Sequence, residues 1–348
     1  MKKTIKLLSL ALCVFLAMSL AACGKNTTNT NSDTAPEKGY VGINMSVACL
    51  KGPTGVSMTR LMQLSDEKKT ANNYTFTIAS APDEIAGKIL TGAINIASVP
   101  TNLAAKLYKK SEGKVTMLAV NTLSVLSIIE NGDTIKSVAD LKGKTIYSTG
   151  EGSNPEYILK YLLKANGIDP EKDLSIKFVT ENDELVAALV SGQAEVALVP
   201  EPVATTVLTK KDTLKRALTI GDEWGKITVN GADNVTYKDS KIMMGCVVAL
   251  KSYVEENKEQ VDKFLSEYKS SIEYVNKNVD EAATLCESYG IIPAAAIAKA
   301  AIPNCGIAYI DGKNMKNSIT GYFRVLFDAD PTSIGGAMPQ DDFYYNAE

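Results

Sequence analysis

Two stretches of this chain, one hundred residues apart, share one pattern. Residues 83–100 and 183–200 align without a gap, and six of the eighteen paired positions are identical. Both stretches contain a glycine followed by an apolar run, and they end at Pro100 and Pro200. A repeat this long exceeds the period of about 20–50 residues that is typical of solenoids. The pattern therefore predicts two similar α/β lobes in one chain.

The hydrophobic periodicity around both copies predicts alternating strands and helices. In the first copy we expect strands over 40–50, 74–79, 94–99 and 115–120, and helices over 56–64, 83–90 and 102–110. In the second copy we expect strands over 144–148, 174–179 and 195–199, and helices over 155–165, 183–190 and 202–208. This order predicts an α/β fold in which each lobe is a mainly parallel sheet with helices on both faces.

Two lobes in one chain require connections between them. We expect the chain to leave the first lobe within residues 121–129 and to return within 243–250. The folded part then consists of a first part of lobe 1 over 39–122, lobe 2 over 123–244, and a return part of lobe 1 over 245–348. The return part is predicted to be mainly helical, because apolar residues such as Phe264, Leu265 and Tyr268 recur on one helix face.

The beginning of the chain has the pattern of a signal peptide over residues 1–22. Three lysines precede an apolar run that is too short to span a bilayer comfortably. Leu20-Ala21-Ala22-Cys23 resembles the lipobox of bacterial lipoproteins, in which the chain is cut before the cysteine and the cysteine is acylated. Residues 23–38 are rich in Asn, Thr and Ser, which predicts a flexible linker. We expect a lipid such as palmitate on Cys23 and a location on the extracytoplasmic face of the cell membrane; the alternative is an ordinary signal peptide with a chance cysteine.

Composition excludes several classes of function. The chain has no histidine, which removes His-based acid/base catalysis and His-ligated metal sites. Its formal net charge of −3 becomes about −6 without the three leader lysines, which disfavours nucleic acid as a partner. We expect no catalytic residue, no metal and no cofactor. Four cysteines beyond the linker lack metal-type spacing and are predicted to be buried thiols, with a Cys286–Cys305 disulfide as the alternative.

Four turns lead from the carboxyl end of a predicted strand into a helix, which is where open α/β sheets bind ligands. The N–H groups at a helix start favour an anionic group. Ser153 lies three residues before Glu156, the spacing of a capping box. Glu201 stands between two prolines, and it either pairs with an amine or N–H donor of a ligand or is a favourable charge at a helix start. Trp224, the single tryptophan, either packs a helix or stacks on a ligand.

Several of these segments resemble a known family, the solute-binding proteins of ABC importers of the nitrate, sulfonate and taurine type. That group also includes binders of the thiamine pyrimidine precursor. The segments are Asp140-Leu141-Lys142-Gly143-Lys144, Gly150–Ser153, and Gly192 with Ala197 and Glu201-Pro202. Residues 248–285 are similar to the helical return segment of the family, and the resemblance covers roughly residues 40–345. It implies a type II periplasmic-binding-protein fold, in which two lobes clamp a ligand in the cleft between them.

The resemblance also implies which turns line the cleft. The expected ligand-binding residues are Gly52, Pro53, Thr54, Gly55, Thr101 and Asn102 on one wall, and Gly152, Ser153, Asn154 and Glu201 on the other. The implied protein is a monomer that captures a small anionic or zwitterionic solute and delivers it to an ABC permease. A ligand-sensing surface lipoprotein without transport is one alternative. An enzyme on the same fold is another, which the missing histidine disfavours; the identity of the ligand stays open.

Overall fold

The computed structural model describes residues 41–346. The predicted signal peptide and the whole predicted linker, including Cys23, lie outside these residues. The strands are β1 (Asn44–Leu50), β2 (Asn73–Ala79), β3 (Ile96–Pro100), β4 (Val115–Leu123), β5 (Leu126–Asn131), β6 (Thr145–Ser148), β7 (Ser175–Phe178), β8 (Val196–Pro200), β9 (Leu214–Thr219), β10 (Val229–Asn230), β11 (Thr236–Tyr237), β12 (Met243–Leu250) and β13 (Ile307–Ile310).

The α-helices are α1 (Pro53–Val56), α2 (Thr59–Asp66), α3 (Asp83–Leu90), α4 (Thr101–Lys110), α5 (Asn154–Ala165), α6 (Asn182–Ser191), α7 (Val203–Lys210), α8 (Ile220–Gly225), α9 (Lys251–Glu256), α10 (Lys258–Lys277), α11 (Val279–Ser288), α12 (Ala295–Ala301) and α13 (Gly312–Ala329). Short 3-10 helices lie at Val138–Leu141, Ile302–Asn304, Pro331–Ile334 and Asp341–Phe343. Within the described residues, no helix is long and apolar enough to cross a membrane.

The first sheet has six strands in the order β2-β1-β3-β12-β4-β13. β1 pairs in parallel with both β2 and β3. β12 runs antiparallel to β3 on one side and to β4 on the other. The central strands are buried along nearly their whole length, because helices cover both faces of the sheet, as the continuous apolar runs of these strands predict.

The second sheet has five strands in the order β7-β6-β8-β5-β9. β6 pairs in parallel with β7 and β8, whereas β5 runs antiparallel to β8 and β9. The order therefore repeats that of β2-β1-β3-β12-β4 in the first sheet, strand for strand. The predicted α/β fold with mainly parallel sheets is confirmed, and the repeat extends well beyond the aligned stretches.

The sequence pattern does not predict the strand order within each sheet. β12 lies between β3 and β4, and β5 takes the equivalent place between β8 and β9. Both inserted strands immediately follow a passage of the chain from the other sheet. Each sheet therefore receives its antiparallel strand from a connection, and a local sequence pattern carries no record of such a long-range insertion.

The outgoing passage between the sheets is short, whereas the return passage from β9 to β12 contains α8, β10 and β11. The chain leaves the first sheet at Leu123 and enters the second at Leu126. It returns to the first sheet at Met243, directly after Ile242. We call residues 123–126 the outgoing crossover and residues 238–243 the return crossover. We refer to the two crossovers together as the hinge.

The apolar core continues from one sheet to the other. A single cluster of buried side chains contains Val99 of β3, Leu198 of β8 and Tyr322 of α13. α13 contacts α5 as well as the 3-10 helix at Pro331–Ile334, which packs on α4. The C-terminal helix therefore joins the two lobes through packing, in addition to the two crossovers.

Candidate functional site

The carboxyl edges of the two sheets meet at the crossovers. In the first sheet, Pro100 pairs with Gly245, which in turn pairs with Thr122 at the end of β4. In the second sheet, Pro200 pairs with Leu126 at the start of β5. Because residues 123–125 join these two edges, the ends of both repeat copies lie on opposite sides of the outgoing crossover. Open α/β sheets in general bind ligands in a crevice outside the carboxyl ends of their strands.

The residues that follow the two prolines anchor the crossovers. Thr101 is fully buried, and its hydroxyl donates a hydrogen bond of 2.6 Å to the carbonyl of Met243 in the return crossover. The backbone N–H of Glu201 donates a hydrogen bond of 2.9 Å to the carbonyl of Val125 in the outgoing crossover. Two positions that the sequence predicts as ligand contacts therefore hold the hinge in this structure.

The carboxylate of Glu201 has protein partners. Its side chain is fully buried, and one oxygen is paired with the guanidinium of Arg216, which also donates to the hydroxyl of Ser127. The other oxygen accepts a hydrogen bond of 3.2 Å from the backbone N–H of Thr205 in α7. Of the two roles predicted for Glu201, the described contacts match the favourable charge at a helix start. A buried carboxylate already neutralised by an arginine is a poor partner for a ligand amine.

The first turn, Gly52–Gly55, is tightly packed. Gly52 has φ +86°, a conformation that suits glycine, and its N–H donates to the carbonyl of Ile291 at 3.1 Å. A Cβ on Gly55 would lie 2.4 Å from the carbonyl oxygen of Leu50 and 2.7 Å from the Ile291 side chain. This close approach explains the second glycine. Pro53 and Thr54, between the glycines, are half-buried.

Buried polar side chains support that turn from beneath. The Tyr268 hydroxyl lies 2.5 Å from the Ser57 hydroxyl and accepts from the amide of Asn121 at 2.8 Å. The Asn121 amide also donates to Ser98 at 2.6 Å, and Ser98 donates to the carbonyl of Thr54 at 3.4 Å. Burial raises the pKa of Tyr268, so its hydroxyl stays neutral. We call these four residues the polar network; sequence reasoning missed them because it assigned Tyr268 to an apolar stripe.

Ser57 also explains why the predicted helix over 56–64 is two helices. Its hydroxyl donates to the carbonyl of Thr54 at 2.8 Å, and its own carbonyl accepts from Ser271 at 2.8 Å. The Ser271 hydroxyl in turn accepts from the N–H of Leu61 at 3.1 Å. A side chain of α10 thus stands between the end of α1 and the first turn of α2, and α1 ends at Val56.

The turn Gly150–Asn154, in the second lobe, is more open than Gly52–Gly55. Ser153 is the N-cap of α5, as predicted, but the capping box is not formed. The Ser153 hydroxyl donates to the carbonyl of Gly150 at 2.6 Å, and the Glu156 carboxylate accepts from the N–H of Gly152 at 2.7 Å. These bonds order the turn itself and leave the first N–H groups of α5 without a side-chain cap. Gly152 is exposed, and a Cβ there would meet no atom within 4 Å.

Asn154 carries an unsatisfied polar atom at the start of α5. The residue is 8% exposed, and its amide nitrogen donates to the hydroxyl of Tyr322 at 3.2 Å. Its amide oxygen is buried without a hydrogen-bond partner. Turning the amide over would let Tyr322 donate to the oxygen and would leave the nitrogen free instead. In either orientation, a buried amide group at the helix start lacks a partner, which costs about 1–3 kcal/mol unless a bound molecule supplies one.

The remaining predicted residue, Asn102, lies at the start of α4 and is half-buried. Its side chain forms no hydrogen bond within residues 41–346. Sheet order places the ends of β1 and β3 side by side in the first lobe, and the ends of β6 and β8 side by side in the second. The predicted turns thus lie at the carboxyl edges of the two sheets, and Thr101 and Glu201 bond to the crossovers.

The cysteines of the described residues are buried thiols without disulfide partners. The four cysteines of the described part are free and buried, as predicted, and burial raises the pKa of Cys49 to about 12. A buried thiol of this kind is unreactive. Residues 41–346 contain no group of three or more His, Cys, Asp or Glu side chains that could hold a metal ion.

Five surface cavities are lined by residues other than the predicted ones. The largest of the five, about 840 Å³, lies at the C-terminal residues and includes Lys251, Lys316 and Tyr345. Another of about 420 Å³ lies at the hinge and includes Ser124, Trp224 and Lys241. In this structure, therefore, the predicted turns do not line any of these five open cavities.

Comparison with known proteins gives a family and a fold. A family model described as "ABC transporter, phosphonate, periplasmic substrate-binding protein" matches residues 64–300, which is more than half of the chain. No curated protein matches the sequence.

Solved structures are similar over nearly the whole chain. An ABC transporter protein from Parabacteroides distasonis aligns with a TM-score of 0.67 at 18% identity and covers 88% of this chain and 98% of its own. The periplasmic aliphatic sulphonate binding protein of Escherichia coli aligns with a TM-score of 0.64 at 15% identity, covering 84% and 90%. A putative periplasmic sulfonate-binding protein from Methylobacillus flagellatus aligns with a TM-score of 0.59 at 18% identity, covering 87% and 90%. At these identities the similarity shows the fold.

Proposed function

The chain belongs to the family of periplasmic substrate-binding proteins of phosphonate-type ABC transporters, and from that premise we propose that it captures a small oxyanion between its two sheets. The family resemblance predicted from the sequence is confirmed. The protein is a substrate-binding component of an ABC importer for small solutes, and proteins of this family are not enzymes. The cleft, the class of ligand and the lipid anchor are part of our proposal.

The matched order of the two sheets carries the proposal. Each sheet places two strand-to-helix turns at its carboxyl edge, and both edges end at the outgoing crossover, at Pro100 and Pro200. A solute between these edges contacts both lobes at once. It therefore binds the closed arrangement better than an open one, and this difference in affinity drives closure.

The turn Gly150–Asn154 favours an oxyanion as the ligand. The uncapped N–H groups at the start of α5 carry the partial positive charge of a helix N-terminus. Asn154 adds an amide group without a partner, and Gly152 leaves open space beside it. The family is named for phosphonates and two structural neighbours for sulphonates. Both groups are tetrahedral oxyanions, which fits this set of donors.

The hinge anchors allow the lobes to move as units. Thr101 fixes the return crossover to α4, and Glu201 fixes the outgoing crossover to α7. Each crossover is thereby held to one lobe at its end, so rotation is confined to the few residues between the sheets. A micromolar affinity corresponds to about −8 kcal/mol, which a small set of such hydrogen bonds and a closed cleft can supply.

The proposal includes delivery of the solute to an ABC permease from a position tethered to the membrane. The lipobox-like segment Leu20-Ala21-Ala22-Cys23 and the polar linker after it support the tether. Mass spectrometry of protein extracted from membranes tests it directly. A mature N-terminus at Cys23 carrying acyl chains is expected, whereas a soluble product cut elsewhere contradicts the anchor.

The test of the cleft combines thermal shift with small-angle X-ray scattering. We expect methylphosphonate, ethanesulfonate or 2-aminoethanesulfonate to raise Tm. A ligand at a concentration of 100 Kd increases the free energy of unfolding by about 2.7 kcal/mol. The same compound is expected to reduce the radius of gyration, while ethanol as the uncharged control does neither. Mass spectrometry of the solute that co-purifies with the protein extends the panel. A ligand that stabilises the protein without compacting it would falsify capture between the lobes.

A further inference from the structure

We propose that the protein has a second binding site, at the hinge, for a small zwitterion that carries an ammonium and an anionic group. The site is the cavity of about 420 Å³ mentioned above, which we call the hinge cavity. Its volume falls within the range of small-molecule sites, about 300–1,000 Å³. It is separate from the turns of the proposed cleft, none of which lines it.

The walls of the hinge cavity come from every part of the hinge. Ser124 belongs to the outgoing crossover, and Ser240 and Lys241 belong to the return crossover. Residues 221–225 of α8 come from the second lobe, and residues 303–306 from the return part beside the first sheet. A molecule in this cavity therefore touches both crossovers and both lobes.

Two opposite charges line the cavity without ion-pair partners. Asp222 and Lys241 are both exposed, and neither forms an ion pair within residues 41–346. Many other charged residues of the chain are paired; Lys226, close to Asp222 in the chain, is bonded to Glu223 at 2.6 Å. A free carboxylate and a free ammonium in the lining of one cavity complement the ammonium and the anion of a zwitterion.

Neutral groups complete the site. The hydroxyls of Ser124 and Ser240 and the amide of Asn304 line the same cavity. Trp224 forms part of the wall, and its indole N–H donates to the hydroxyl of Ser240 at 3.4 Å. The indole packs against Tyr161 and Tyr322, with ring centroids 5.3 Å and 6.4 Å away. The tryptophan is thus held rigidly next to the two charges.

Occupation of the hinge cavity is coupled to the movement of the lobes, a consequence that rests on the proposed function. Rotation about the two crossovers changes the distance between residues 221–225 and 303–306. A zwitterion that fits one arrangement has different affinities for the open and closed states, and by linkage it alters the affinity of the cleft for its own ligand.

Trp224 makes the site directly observable, because it is the only tryptophan in the chain. The experiment titrates the full-length mature protein with glycine, 3-aminopropanoate and 4-aminobutanoate and follows tryptophan emission. Propylamine and propanoate serve as probes with one charge each. We expect a saturable change with at least one zwitterion, and an affinity at least about tenfold weaker for either single-charge probe, since each lacks one charge-assisted hydrogen bond.

Substitutions of the two charged residues test whether the change in Trp224 emission arises in the hinge cavity. Asp222→Asn and Lys241→Gln are expected to weaken the zwitterion about tenfold each. Asp212→Asn and Lys210→Gln remove the same charges from exposed positions of the second lobe that do not line the cavity, and they should bind as the unmodified protein does. A response that is absent with all three zwitterions, or that survives in Asp222→Asn and Lys241→Gln, overturns the proposal.

A further comparison separates this site from the cleft. Ser153→Ala alters the turn of the proposed cleft, and Ser153 does not line the hinge cavity; its hydroxyl is bonded within its own turn. The variant is expected to leave the Trp224 titration with the zwitterion unchanged. A titration lost in Ser153→Ala would assign the signal to the cleft and refute the second site. Failure of the Trp224 experiment leaves the scattering test of oxyanion capture unaffected, so the two proposals fail independently.

Discussion

The turns Gly52–Gly55 and Gly150–Asn154, at the carboxyl edges of the first and second sheets, are built differently although they occupy equivalent places in the repeat. Gly52–Gly55 is packed against Leu50 and Ile291 and is supported by the polar network. Gly150–Asn154 is exposed at Gly152, is ordered by its own short-range hydrogen bonds, and contains a buried amide without a partner. From this difference we propose a division of labour, in which the first edge is a fixed wall and the second edge supplies the recognition groups.

The anchors of the crossovers differ in the same way. Thr101 uses one neutral hydroxyl, whereas the Glu201 carboxylate is buried with Arg216. A neutral hydrogen bond contributes about 0.5–1.5 kcal/mol, but a buried charge that loses its partner is far more costly. The second edge is therefore the more vulnerable to single substitutions at the hinge.

The largest effect is expected from Arg216→Met. It leaves the fully buried carboxylate of Glu201 without its counterion, which should lower the free energy of unfolding by about 3–5 kcal/mol. Urea denaturation at neutral pH measures this loss. Thr101→Val, the counterpart at the first edge, should cost roughly 1–3 kcal/mol. Equal losses for the two variants would remove the difference between the anchors.

Gly55→Ala probes the packed turn. The added methyl would lie 2.4 Å from a backbone oxygen, so we expect a loss of about 1–3 kcal/mol in stability from overpacking. Ser153→Ala, at the open turn, removes one hydrogen bond at a half-buried site and should cost less than about 1 kcal/mol. Thermal denaturation of both variants measures the two losses of stability. A Ser153→Ala protein that is less stable than Gly55→Ala contradicts the division of labour.

Asn154→Ala tests recognition at the second edge. We expect the affinity for the oxyanion found in the thermal-shift screen to fall roughly tenfold, the equivalent of one hydrogen bond to a charged group. Stability should change little, because removal of the unsatisfied amide oxygen offsets the loss of the hydrogen bond to the buried Tyr322 hydroxyl. Calorimetric titration measures the affinity. Asn102→Ala at the first edge is the control, and a larger loss there than in Asn154→Ala would reverse the assignment of the two edges.

The smallest effect is a pH dependence at the open turn. Burial raises the pKa of Glu156, but hydrogen bonds from Lys160 and from the N–H of Gly152 outweigh it and hold the pKa below its usual value. A carboxylate with a lowered pKa stabilises the fold above its unfolded pKa of about 4.5, and this contribution is lost as the pH falls through the lower folded pKa.

The measurement compares the unmodified protein with Glu156→Gln between pH 7 and pH 3. We expect the variant to be less stable at neutral pH by about 0.5–1 kcal/mol and the two proteins to converge toward pH 3. Glu151→Gln, an exposed neighbour, should follow the unmodified protein throughout. A stability gap between Glu156→Gln and the unmodified protein that is independent of pH would show that the charge of Glu156 does not order the turn.

Sequence reasoning succeeded where local pattern and local structure agree. The repeat predicted β3 and β8 at matched positions, and β8 begins one hundred residues after β3 begins. α3 has the bounds predicted for it, and Ser153 is the N-cap of α5. These features depend on hydrophobic period and on residues within one turn of each other, which a single sequence records.

The prediction of contacts was less successful. Arg216 lies fifteen residues from Glu201, and Tyr268 lies far along the chain from Ser57 and Asn121. No local signal connects such positions. The capping box failed for a related reason, because the Ser153 hydroxyl found an acceptor at Gly150 once the turn had folded. Hydrogen-bond partners are chosen by the folded neighbourhood, not by spacing alone.

The sequence by itself determined the doubled α/β plan, the leader pattern and the exclusion of histidine chemistry. Repeats and composition can be identified without knowing which residues are close together in the folded chain. Only the tertiary structure decided which of the predicted site residues bond to the crossovers. Thr101 and Glu201 have the positions of ligand contacts in the pattern, yet the crossovers bring Met243, Val125 and Arg216 within bonding distance of them. Burial then favours partners inside the protein, since an unpaired polar group away from water is costly.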